Sequence, residues 1–159
     1  MGSRSKTDNK SDQSLLDILT DWYHLPVLLL IVGAMFAIRM QTYSNFIRDG
    51  EVFFSGNDAW YHFREVMYIT EHWPSSMPFD VWTGFPYGQW VGQFGTLYDQ
   101  IIATVALILG AGSPTQTLIG EILLIAPAVA GALTAIPVFF IAKSLSGRIA
   151  GIFAAAVLM

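Results

Sequence analysis

The stretch that decides the fold is residues 119–142, IGEILLIAPAVAGALTAIPVFFIA, which carries a single charge, Glu121, at its start. Twenty-odd predominantly apolar residues match the length a helix needs to cross a bilayer. Pro127 and Pro137 are tolerable there as kinks, because neighbouring helices can satisfy the carbonyls they free. Ala128, Ala130, Gly131, Ala132 and Ala135 supply small residues for close helix packing. The expectation is a membrane-spanning helix over 119–142.

Working outward, residues 22–38 form a second apolar run, with Trp22 and Tyr23 at its start and Arg39 just past its end. With its flanks it approaches spanning length, and it is expected as the first transmembrane helix. Residues 1–21 are expected as a cytoplasmic tail, polar and of mixed charge over 1–13, without the apolar core and small-residue cleavage site of a signal peptide. Residues 143–148, with Lys143 and Arg148, are expected as a cytoplasmic turn, and 149–159 as the start of a third transmembrane helix that stops short of a full span. The positive-inside rule sets Arg4, Lys6, Lys10, Lys143 and Arg148 on the same side. Two spans then separate them, and the loop over 39–118 faces away from the cytoplasm.

Composition agrees with a bilayer protein. Of 159 residues, 53% are hydrophobic and 13% charged, whereas about a quarter are charged in soluble domains. A net charge of −4 argues against a nucleic-acid partner, which needs a basic face. The absence of cysteine excludes disulfides and thiolate metal sites, leaving oxygen or imidazole as ligands.

The long loop divides into a helix expected over 58–72, an irregular tract over 73–95 and a short apolar helix over 96–110. Trp73-Pro74, Met77-Pro78, Gly84-Phe85-Pro86-Tyr87-Gly88 and Gly92 argue against regular structure in the tract. The segment 96–110 is too short to span and carries Asp99, so it is expected to lie in or along the membrane.

Chemistry concentrates in Phe53-Phe54-Ser55-Gly56-Asn57-Asp58-Ala59-Trp60-Tyr61-His62-Phe63-Arg64-Glu65. A helix from Asp58 sets Asp58, His62 and Glu65 on one face, two carboxylates and an imidazole together. A hard divalent cation would accept Asp58 as an oxygen ligand. An Asp after Ser-Gly-Asn also suits a helix N-cap, and that reading stands beside the first. His62 and His72 suit hydrogen-bonded surface histidines as well as ligands, and Arg64 and Glu65 suit solvated positions. Trp60, Trp73, Trp82 and Trp90 fit either an interfacial aromatic belt or platforms for sugar rings. Asp99 is an ionisable candidate in its own right.

Three segments together carry a resemblance: Ser55 to His62, Phe85-Pro86-Tyr87-Gly88, and the run Pro127-Ala128-Val129-Ala130-Gly131-Ala132-Leu133-Thr134-Ala135-Ile136-Pro137-Val138. Their order resembles archaeal oligosaccharyltransferase catalytic subunits over residues 38–159. The resemblance implies an all-α polytopic membrane protein of the GT-C type, a lipid-phosphate-sugar glycosyltransferase architecture, truncated here, in the cell membrane with its catalytic face extracytoplasmic. It implies transfer of an oligosaccharide from a dolichyl phosphate or diphosphate carrier to the Asn of an Asn-x-Ser/Thr sequon, with inversion, and Mg²⁺ or Mn²⁺ as the cofactor. Asp58 matches the family's first acidic motif, Gly56-Asn57-Asp58 here, whose carboxylate binds the metal and contacts the acceptor amide. Gly56 departs from the Asp-x-Asp form, so Asp58 is the motif's one anionic ligand. The second acidic motif and the sequon-reading domain are expected beyond Met159, which would leave these residues inactive by themselves. Rival readings are a protein mannosyltransferase of the same architecture and a transporter or scaffold, the latter kept open by Asp99.

Overall fold

The structure, a computed structural model, describes residues 22–93 and 96–159. The expected tail, 1–21, lies outside the described residues, as do residues 94 and 95 of the tract. The described chain is mostly helical: α1 (His24–Met40), α2 (Asn57–His72), α3 (Leu97–Leu109), α4 (Gln116–Leu133) and α5 (Ala135–Ala156). It divides into two compact units, Arg39–Val129 and the remainder, up to Ile38 and from Ala130 to Met159.

In the second of these, α1 contributes Leu28, Ile31 and Met35 to a core completed by Ala132, Ala135, Phe139 and Ala155. The 3–4 residue spacing on α1 aligns its three residues on one stripe. The run 119–142 is divided between α4 and α5 at Thr134. Pro137 has no N–H to return to the Leu133 carbonyl, which is the physical reason for the interruption. Thr134 itself keeps helical angles (φ −61°, ψ −23°). Helical angles fail in α5 at Ser146 (φ −141°, ψ 15°) and Gly147 (φ 87°, ψ −179°). Beyond that break the chain folds back, since a Cβ on Gly151 would lie 2.8 Å from the Phe139 carbonyl oxygen. In an unbroken helix twelve residues would hold those positions about 18 Å apart.

Two stretches are long and apolar enough to cross a membrane by length and composition, His24–Phe46 and Gln116–Ala156. Leu29, Leu30, Ile141, Leu145, Ile149 and Phe153 are exposed along them.

The unit Arg39–Val129 holds the chemistry. Its core joins α2 through Val66 and Ile69, α3 through Ile102, Ala103 and Ala106, and the first turns of α4 through Ile119 and Leu123. α3, at 13 residues, is about 20 Å long, short of the roughly 30 Å of a hydrocarbon core.

The loop contains two small hairpins, and the second, at 79–90, corrects the expectation of a wholly irregular tract over 73–95. β1 (Ile47–Arg48) pairs with β2 (Glu51–Val52) across Asp49 and Gly50, both at positive φ (52° and 82°). That is the two-residue turn with both central residues left-handed, which Asp-Gly favours. Within the tract 73–95, β3 (Phe79–Asp80) pairs with β4 (Gln89–Trp90), Phe79 opposite Trp90 and Asp80 opposite Gln89. The Phe79 and Trp90 rings meet edge to face at 5.4 Å. Trp73-Pro74 and Phe85-Pro86 are cis.

Gly88 closes the β3–β4 hairpin at φ 71°, and a Cβ there would fall 2.4 Å from the Phe79 ring. Both the angle and the space demand glycine. Gly88→Ala is therefore expected to destabilise the protein by about 1–3 kcal/mol and to expose the tract to protease, measured by thermal unfolding and by cleavage sites mapped between residues 79 and 90.

Candidate functional site

α2 begins at Asn57, and Gly56 is its N-cap, extended at φ −127°, ψ 152°, with no side-chain capping bond. This corrects the capping reading of Asp58, which lies inside the first turn, past the position from which a cap side chain reaches back. Its carboxylate is exposed, and it lines a cavity of about 660 Å³ together with Tyr61, Arg64, Trp82 and Thr83. α2 supplies one wall and the turn after β3 the other. A carboxylate in the first turn is favoured by the helix dipole.

What brings the two walls together is Asp80. Its carboxylate, 1% exposed, accepts from Arg64 Nη2 at 2.5 Å, from the Thr83 hydroxyl at 2.6 Å and from the Trp82 N–H at 3.0 Å. Burial by itself would push this carboxyl up, but the bonds from Arg64, Thr83 and Trp82 outweigh it and hold it below the usual aspartate value. Arg64 is thus an ion-pair partner and not a solvated residue, a correction to the sequence reading. The same pair fixes Trp82 and Thr83 at the cavity wall.

His62 and Asp99, singled out separately, form a pair. His62 Nδ1 donates to Asp99 Oδ1 at 2.7 Å, a carboxylate being able only to accept. Asp99 is fully buried. The bond to Asp99 raises the His62 pKa above the ordinary histidine value, partly opposed by burial and helped by the charges of Asp99 and Asp58. Tyr98 packs edge-on to the imidazole at 5.2 Å, as does Tyr61, also at 5.2 Å.

Glu65, also read as solvated, is fully buried. Its Oε1 accepts the Met77 N–H at 3.1 Å, while Oε2 is buried with no hydrogen-bond partner among the described residues. Burial pushes its carboxyl up to about 7 against the pull of the Met77 N–H, with the charges of Asp99 and Asp80 adding to the rise. Trp60 spends its indole N–H on the Phe54 carbonyl at 3.0 Å, and His72 bonds the Tyr68 carbonyl, away from this cluster.

A second depression, about 410 Å³, lies on the other side of Asp58 and has apolar walls of Phe46, Phe54, Leu123, Leu124 and Pro127. Asp58 and His62 line both spaces. For a divalent ion, Asp58 offers an open hard-oxygen donor, and His62 has one ring nitrogen committed to Asp99. Among the described residues no group of three His, Asp or Glu could hold an ion.

These features, an apolar helical chain with an open carboxylate at the mouth of a polar cavity, fit the class of membrane glycosyltransferases, and comparison makes that class specific. Residues 27–159 match the family model described as Oligosaccharyl transferase STT3, N-terminal. Over 155 residues the chain is 54% identical to the dolichyl-monophosphooligosaccharide–protein glycotransferase AglB of Haloferax volcanii, a match covering 98% of this chain and 15% of the relative. It is 26% identical over 136 residues to the dolichyl-phosphooligosaccharide-protein glycotransferase 3 of Archaeoglobus fulgidus, covering 84% of this chain and 15% of that relative. No solved structure matches it. The chain belongs to the STT3 family of oligosaccharyl transferases, and it spans about 15% of the length of these curated relatives.

Glu65 supplies a pH test. Its folded pKa near 7 lies above the ordinary 4.5, so the folded state holds the proton more tightly, and the carboxyl destabilises the fold increasingly as pH rises from 4.5 to 7. Glu65→Gln keeps an acceptor for the Met77 N–H without the charge. Relative to wild type it is expected to gain stability across that window, levelling off above pH 7 at up to about 3 kcal/mol, read from thermal unfolding at pH 5 and pH 8.

Proposed function

We propose that this chain is the amino-terminal membrane part of an oligosaccharyltransferase, which moves a glycan from a dolichyl phosphate or diphosphate carrier to the side-chain amide of Asn in Asn-x-Ser/Thr sequons. The observation that carries the reading is the position of Asp58, an exposed acid in the first turn of α2 that lines both the polar cavity and the apolar groove. The names of the two relatives, both dolichyl-linked oligosaccharide–protein glycotransferases, support the same chemistry.

In this reading α1 spans the membrane, as does the apolar run 119–142, and the loop 39–118 lies on the extracytoplasmic side with α2 and α3 along the bilayer. Asp58 would hold Mg²⁺ or Mn²⁺ with ligands from elsewhere in the protein. When bound, the ion supplies positive charge against the phosphate that departs with the carrier. Asp58 also accepts hydrogen bonds from the acceptor amide, holding a weak nucleophile in line with the anomeric carbon for an inverting displacement. Trp82, exposed at the cavity wall, offers an aromatic face to a sugar ring. Asp99, which on sequence alone suited a transporter, is engaged by His62 in positioning that face of the site.

The test is glycosylation of a sequon peptide by membranes carrying the full-length protein. Asp58→Asn is expected to lower transfer about 100-fold or more at unchanged protein level, with partial recovery in excess manganese, and Asp58→Ala to show no recovery. Transfer equal to wild type in both variants would exclude the assigned role.

A further inference from the structure

The geometry points to His62, aimed by the buried Asp99 carboxylate, as a binding residue for the phosphate of the lipid-linked sugar donor. This deepens the oligosaccharyltransferase reading and rests on it.

Three observations converge on His62. It lines, with Asp58, both the apolar groove and the polar cavity. Its Nδ1 is fixed to Asp99 at 2.7 Å, and the Tyr61 and Tyr98 rings sit edge-on to the imidazole, which leaves Nε2 as the polar edge available to a ligand. The carboxyl group behind it has no exposure to solvent, so water does not compete for its bond to the ring.

The chemistry of the donor has the same order as the surface. A prenyl-linked glycan consists of an apolar tail, an anionic phosphate and a polar sugar; the surface runs from the groove of Phe46, Phe54 and Leu123 through His62 and Asp58 to the cavity of Tyr61, Arg64 and Thr83. A carboxylate alone at the junction would repel the phosphate. An imidazole backed by a buried carboxylate supplies the opposing partner, donating a charge-assisted hydrogen bond from Nε2 to a phosphate oxygen. Asp99 touches no substrate in this scheme; it is a positioning residue that acts through the ring.

His62→Asn separates this role from a structural one. The Asn amide can still donate to Asp99, but nothing replaces Nε2. Transfer by the full-length protein in membranes would be measured with dolichyl-linked glycan and sequon peptide varied independently. The expected result is a rise of about tenfold in the KM for the glycan donor, with the KM for the peptide and the manganese requirement within about twofold of wild type. Asp99→Asn should raise the donor KM in the same direction, with the double variant no worse than the more affected single one. If His62→Asn proves poorly folded by thermal unfolding, His62→Gln, whose longer amide can place a donor near the Nε2 position, should restore part of the donor affinity. A donor KM unchanged in a folded variant, or equal rises in both KM values, overturns the assignment while leaving the oligosaccharyltransferase reading intact. Absence of transfer by wild type overturns both.

Discussion

Three carboxylates with almost no contact with water, Glu65, Asp80 and Asp99, constrain everything around the site. A buried carboxylate needs donors, or it gives up its charge. Asp80 takes the first course and gathers Arg64, Thr83 and the Trp82 N–H, thereby fastening the tract after β3 to the side of α2. Asp99 meets the His62 ring through one oxygen and so sets that ring's orientation, while its other oxygen is buried with no hydrogen-bond partner among the described residues. Glu65 takes the second, rising to about 7 with a single amide partner. Such groups are expensive as sources of stability. Their consequence is geometric: they fasten the two walls of the cavity to each other and orient an imidazole beside Asp58.

Asp58 is the exception among these acids, and the contrast explains its role. It shares α2 with Glu65, yet it sits at the helix start, where the dipole favours its charge and solvent reaches it. Gly56 takes the N-cap and Asn57 the first helical position, which leaves Asp58 one residue inside the helix and out of the capping position. The segment Gly56-Asn57-Asp58 thus sets one exposed carboxyl group where it lines two surfaces, one apolar and one polar.

The helical, apolar character and the family were legible in the sequence, because hydropathy over twenty residues and an ordered set of motifs survive without any knowledge of contacts. Pairings across the chain were not. Nothing in the spacing of His62 and Asp99, or of Arg64 and Asp80, announces that the residues meet, and without partners Arg64 and Glu65 read as solvated positions on an exposed helix. The β3–β4 ladder has two residues per strand, too few for an alternating pattern to register. The β1–β2 hairpin did leave a mark, the Asp49-Gly50 dipeptide between Ile47-Arg48 and Glu51-Val52, whose positive φ angles are those such a turn demands. Gly56 escaped notice as a cap because Asp and Asn beside it are the commoner capping types.

Arg39–Val129 therefore carries a cavity whose walls are positioned by buried acids, and the proposed function assigns Asp58 the metal and the acceptor amide. The most direct test of that claim is Mn²⁺ binding by the full-length protein, followed by electron paramagnetic resonance and compared with Asp58→Asn. The account predicts a loss of about tenfold or more in Mn²⁺ affinity with little change in thermal stability. An unchanged affinity would contradict it.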